Sequence, residues 1–262
     1  MVKLRHWILR PIYGLYGNRL ARRLPPDRLP HHVGVILDGH RRFARSEGLA
    51  DYTAGYRVGM AKLQEFLGWT AETNIPAVTL WVLSKENLAR PAAELEPYFE
   101  VLGDLFTKEL GETARTLDMS IRVIGSVDLL PVPLAAAAKD LAEANRSGSR
   151  HLTIALAYGG RQEIVDAVRD LVGDLAAAGV PSKEMAEKVD ADAIAANLYN
   201  SDLPDPDLVI RTSGESRLSG FLLWQSAYAE YSFIDVFWPA FRRVDFLRAL
   251  RDFTRRERRF GR

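Results

Sequence analysis

"VGVILDGHRRFAR", residues 33–45, passes from an apolar run into an aspartate, a glycine and a cluster of basic residues. Val, Ile and Leu without polar alternation predict a strand buried on both faces, the habit of a parallel sheet. Asp38 and Gly39 then stand at the strand's carboxyl end, where open α/β sheets hold their ligands. An acid there can bind a metal, and bared amides with Arg41 and Arg42 at a helix start can bind phosphate. Asp38 as a plain cap of the next helix accounts for the same residues.

Working outward, five further strands are predicted at 77–83, 120–125, 152–158, 207–212 and 231–238. Between them, helical periodicity covers 55–73, 94–117, 133–145, 161–178, 182–198 and 242–257. Met60, Leu63, Phe66 and Leu67 share one face of the first of these. Strands alternating with helices of this length predict a single α/β domain with a mainly parallel six-stranded sheet flanked by helices. Residues 1–30 are set apart as a basic arm, and 31–262 as the domain proper.

Composition narrows the function. A net charge of +1 gives no global field for nucleic acid. The absence of cysteine removes disulfides, thiolate metal sites and cysteine nucleophiles. No apolar run approaches the ~20 residues of a membrane helix, and the first thirty residues lack the core of a secretory signal. A cytoplasmic enzyme is expected. The arm carries Lys3, Arg5, Arg10, Arg19, Arg22, Arg23 and Arg28 against Asp27, with Leu4, Trp7, Ile8, Leu15 and Tyr16 near helical spacing. Such an arm can lie peripherally on an anionic membrane, or pack on its own domain.

Three more strand ends repeat the opening pattern. Ser84, Lys85, Glu86, Asn87, Leu88 and Arg90 follow the second strand. Arg211, Ser213, Glu215, Arg217, Leu218 and Ser219 follow the fifth, around two glycines, and Glu230 precedes the last. The "YGGR" at 158–161 fits a tight strand-to-helix turn better than a phosphate loop. If the strands are neighbours, Arg42, Arg90, Arg211 and Arg217 line one rim with Asp38 and Glu230. That combination describes a diphosphate site with an oxygen-liganded cation, magnesium above others.

These segments, with "LTIALAYGGR", "PDLVIRTSGESRLSGFLLWQSAYAEYSF" and the terminal "RERRFGR", resemble the cis-prenyltransferases, the undecaprenyl diphosphate synthase family, over nearly the whole chain. The likeness is greatest to short-chain actinobacterial (Z,E)-farnesyl diphosphate synthases. It implies a homodimer, an apolar tunnel, and condensation of isopentenyl diphosphate with an allylic diphosphate to give a short cis-prenyl diphosphate. By motif, it implies Asp38 and Glu230 as magnesium ligands and Asn87 as the residue assisting proton removal. Gly39, Arg41, Arg42 and Arg90 would hold the allylic diphosphate, and Arg211, Arg217 and Ser219 the isopentenyl one. Ser84, Lys85, Glu86 and Leu218 fall in the same substrate-binding segments, Val82 falls on the tunnel wall that limits chain length, and Arg258–Gly261 matches a tail that reaches the partner's site.

The departures, which the resemblance still places among the substrate-binding residues, lie at His40 for an asparagine, Phe43 for a tryptophan, Tyr56 for a histidine and Leu88 for a tryptophan. They leave room for a head-to-middle or cyclising synthase that joins allylic diphosphates. A non-catalytic family subunit is disfavoured by the retained Asp38 and arginines.

Overall fold

The computed structural model describes residues 14–256. Six strands, β1 (His32–Ile36), β2 (Ala77–Trp81), β3 (Met119–Ile124), β4 (Arg150–Ala155), β5 (Leu208–Arg211) and β6 (Glu230–Phe233), form one sheet in the order β3-β4-β2-β1-β5-β6. Every pairing is parallel. β1 is central and buried at all five residues, which is why its sequence does not alternate. Val33 and Val35 face one hydrophobic core with Leu63, Phe66, Leu102, Phe246 and Leu250. Ile36 faces the other with Trp81, Tyr158 and Phe221. Gly34 is small for cause: a Cβ there would meet the Phe221 ring at 2.9 Å.

The helices after β1 are, in chain order, α1 (His40–Ser46), α2 (Tyr52–Glu72), α3 (Ala92–Asp104), α4 (Leu110–Thr116), α5 (Val132–Ala144) and α6 (Gly160–Ala177). After them come α7 (Ser182–Met185), α8 (Ala191–Ala196) and α9 (Arg243–Arg255). Two expected helices are interrupted. The stretch 94–117 carries a π turn, Leu105–Glu109, between α3 and α4. The stretch 182–198 breaks because Asp190 turns extended, and its carboxylate caps α8 by accepting from the Ala193 amide at 2.8 Å. The arm is docked from residue 14 on: Leu20 and Leu24 enter the main core, and Arg248 covers the Tyr16 ring. Residues 1–13 of the arm and the terminal Arg258–Gly261 lie outside the described residues.

The sheet order positions the site. From β1 the chain moves to β2 on one side, and from β5 to β6 on the other. Connections leaving two adjacent strands in opposite directions open a crevice at their carboxyl ends, between Ile36 and Arg211.

Candidate active site

That crevice continues into a cavity of about 550 Å³ whose lining is assembled from six segments. The turn after β1 gives Asp38 and Gly39; α1 gives His40, Arg41, Arg42 and Arg45; α2 gives Tyr56. The β2 exit gives Trp81, Val82, Ser84, Asn87 and Arg90, and the β5 exit gives Arg211, Glu215, Arg217 and Ser219. Tyr98 of α3 adds to the floor.

Asp38 is not a cap. The residue before α1 is Gly39, in a left-handed conformation (φ 106°) with Phe237 packed where a Cβ would sit. This releases the Asp38 carboxylate to two arginines. Arg211 Nη2 donates to Oδ2 at 2.9 Å and Arg42 Nη2 to Oδ1 at 3.2 Å. Thr212 Oγ1 accepts from the Asp38 amide and donates to its carbonyl, fixing the turn. Burial opposes ionisation of Asp38. Hydrogen bonds from Arg211 and Ser213, with the charges of Arg211 and Arg42, outweigh it and hold the carboxyl below its usual range.

The β5 exit loop is held by the same guanidinium. Arg211, almost wholly buried, donates to Ser219 Oγ at 2.8 Å and to the Arg217 carbonyl. Gly160 lets α6 approach the loop: its amide donates to the Gly220 carbonyl, and a Cβ would lie 2.6 Å from that oxygen. The "YGGR" segment therefore serves a close approach as well as a turn. Arg41 pairs with Glu94 at 2.7 Å, and Arg90 Nη2 donates to Asn87 Oδ1 at 2.5 Å.

His40, Tyr56 and Tyr98 form an aromatic cluster beside Val82. The Tyr56 and Tyr98 ring centroids are 4.5 Å apart, and Tyr98 donates to the Val82 carbonyl at 2.6 Å. His40 packs against Gly59, where a Cβ would collide with its ring at 2.3 Å. Burial, assisted by Arg90 and opposed by Asp38, takes its pKa down to about 4, so it is neutral at pH 7.

Arg42, Arg90, Arg211 and Arg217 share the rim with Asp38 as expected, but Glu230 does not share it within one chain. It opens the edge strand β6 opposite Leu208, which begins β5, and pairs with Arg256 at 3.1 Å. A residue that begins a parallel strand lies at the end away from the strand exits. Lys85, Glu86, Phe43, Leu88 and Leu218 also stand off the cavity lining: Lys85 donates to Gln162, Leu88 packs on the main core and Leu218 on the second one. Tyr98, Arg45 and Trp81 line the cavity without having been expected there.

Two acids, Asp38 and Glu215, and six arginines gathered at a switch-point crevice define an α/β polyanion-binding site. Comparison with known proteins is specific. The family described as "Putative undecaprenyl diphosphate synthase" matches residues 36–261. A protein of Thermobifida fusca named (2Z,6E)-farnesyl diphosphate synthase is 50% identical, covering 96% of this chain and 97% of that one. Isoprenyl transferase 1 of Corynebacterium diphtheriae is 48% identical over 98% of this chain and 97% of its own. Among solved structures, lavandulyl diphosphate synthase from Lavandula x intermedia in complex with dimethylallyl diphosphate superposes with a TM-score of 0.84 at 30% identity, covering 90% of this chain and 100% of that one. The chain belongs to the undecaprenyl diphosphate synthase family, the cis-prenyltransferases.

Proposed function

We propose that the protein condenses isopentenyl diphosphate with an allylic diphosphate to make a short cis-prenyl diphosphate. The observation that carries this is the Asp38–Arg42–Arg211 cluster opening onto a cavity floored by Val82 and Tyr98. In the reaction the allylic C–O bond breaks, its carbon bonds to the isopentenyl double bond, a proton leaves the adjacent carbon, and pyrophosphate departs. Gly39, Arg41, Arg42 and Arg90 bind the allylic diphosphate; Arg211, Arg217 and Ser219 bind the isopentenyl diphosphate. Asn87, oriented by Arg90, assists proton removal. Guanidinium groups aimed at the leaving diphosphate stabilise the charge it gains, and the apolar floor keeps water from the allylic carbon.

Magnesium fits this donor set. Among the described residues no group of three or more His, Asp or Glu forms a protein-only metal cage. A magnesium site needs only one or two carboxylates, with waters and substrate phosphates completing the shell. The ionised Asp38 would hold the ion, which when bound neutralises diphosphate charge. Glu230 would join it only from a second copy of the chain, in keeping with a homodimer. The basic segment at Arg19, Arg22 and Arg23, beside the exposed Leu15, suits peripheral contact with an anionic membrane.

Mass spectrometry of products from labelled isopentenyl diphosphate and dimethylallyl, geranyl or farnesyl diphosphate tests the proposal. A product of about fifteen carbons is expected, because a close-packed floor yields little to a longer chain. Mainly C50 or longer products would refute it. His40 in the aromatic cluster favours, as a second reading, the joining of two allylic diphosphates; products formed without isopentenyl diphosphate would establish that one.

A further inference from the structure

Glu215 turns into the arginine cradle. Its Oε1 accepts from Arg42 Nη1 at 3.0 Å, and its Oε2 lies 2.7 Å from Arg217 Nη1. The other arm of the Arg42 fork goes to Asp38 and Ser213. A diphosphate needs the same guanidinium edges, since bidentate forks are what grip phosphate oxygens. Two anions cannot occupy them together.

We infer that Glu215 is a resident anion: in the free protein its carboxylate fills the Arg42–Arg217 cradle, and an incoming diphosphate must displace it. The inference rests on reading the cavity as a diphosphate site. The pairs to be broken are the hydrated ones. Side-chain exposure is 27% at Glu215, 41% at Arg42 and 66% at Arg217, against 5% for Arg211 in its pair with Asp38. Half-exposed pairs are individually weak, so Glu215 holds the arginines in place without closing the site. Its displacement sets the affinity for the anion.

The test is calorimetric binding of inorganic pyrophosphate, and separately of inorganic phosphate, to the full chain and to Glu215→Gln in metal-free buffer. The variant keeps the shape and removes the charge; Glu215→Ala serves as a second version should the amide find a new partner. Both anions should bind about tenfold more tightly to the variants, the cost of two weak pairs. The gain should be equal for the two, because one carboxylate leaves whichever anion arrives. A gain much larger for pyrophosphate would mean that only the general field had changed, since that effect scales with ligand charge, and would overturn the inference. Weaker binding to the variants would overturn it too, by making Glu215 a support for the arginines. Wild-type protein that binds pyrophosphate no less tightly than the variants would remove the inference and leave the diphosphate site standing. No binding by any of the three proteins would remove both.

Discussion

Asp38 shows how much one side chain is asked to do. It balances Arg211, whose guanidinium is almost wholly buried, and among the described residues it is the one carboxylate paired with both Arg42 and Arg211. Asp38→Ala therefore removes activity and also leaves a buried cation without its counter-charge, a loss of roughly 3 kcal/mol or more. Asp38→Asn should remove activity just as fully while losing less stability, because its carbonyl still accepts from Arg211. Steady-state rates and urea unfolding of the two variants separate the chemical role from the structural one; an active Asp38→Ala protein would contradict the assignment. Val82 makes the complementary case at the floor. Val82→Ala takes two methyl groups from a wall that Tyr98 braces, so product chains should lengthen by one or more five-carbon units. Chromatography of the products gives the answer directly. The residues at strand exits were legible in sequence because charge follows an apolar run there. Glu215, Tyr98 and Thr212 were not legible as contacts, since their partners sit on segments far away in the chain.

At the scale of elements, the β5 exit loop is the least self-sufficient part of the site. Ser213, Ser219 and Leu222 all have positive φ, a conformation that must be imposed from outside. Glu163 of α6 supplies much of that constraint. Its carboxylate accepts from the Tyr158 hydroxyl, from Gln225 Nε2 at 2.9 Å and from the Tyr199 amide at 3.1 Å. Burial raises its pKa against the pull of those hydrogen bonds. Glu163→Ala leaves three donors without an acceptor beneath the loop that carries Arg217 and Ser219. We expect a melting temperature lower by several degrees and a higher KM for isopentenyl diphosphate, with kcat changing less. A KM unchanged at equal folded fraction would show that the loop holds itself. Sequence periodicity anticipated α6 and its place in the fold, but a polar residue inside an apolar stripe gives no sign of which loop it serves. The broken 182–198 helix was missed for a related reason: the apolar spacing continues across Asp190, while the local cap ends the helix.

For the whole molecule, the far end of the sheet carries its own polar lock. His32 is buried at the start of β1, with Nδ1 2.6 Å from the Pro204 carbonyl and Nε2 2.8 Å from Thr79 Oγ1. Burial lowers its pKa despite the Pro204 carbonyl and Asp207. The unfolded chain takes up that proton near pH 6.5 and the folded one resists it, so the contribution is complete above about 6.5 and falls away as pH drops. Unfolding free energy should decline by at most about 1.4 kcal/mol per pH unit from this group below 6.5. His32→Leu should flatten that part of the profile; an identical slope would assign it elsewhere. The parallel sheet itself was legible from the inner strands β1, β2 and β5, because strands buried on both faces do not alternate. Their spatial order was not, nor that Glu230 begins β6 and so lies at the end of the sheet away from Asp38.

That order also has a consequence during synthesis. Asp38 and Arg211 lie side by side yet 173 residues apart in sequence, because β5 inserts beside β1 only after β2, β3 and β4 have been laid down. A nascent chain still short of β5 has the acid without its arginine, and so has no pocket with which to seize a phosphorylated metabolite. Pairings of such long range form late and slowly. On the proposed function, ligand capture belongs only to a chain that has completed β5, and protection of a translating chain by pyrophosphate should begin only once β5 has cleared the ribosome.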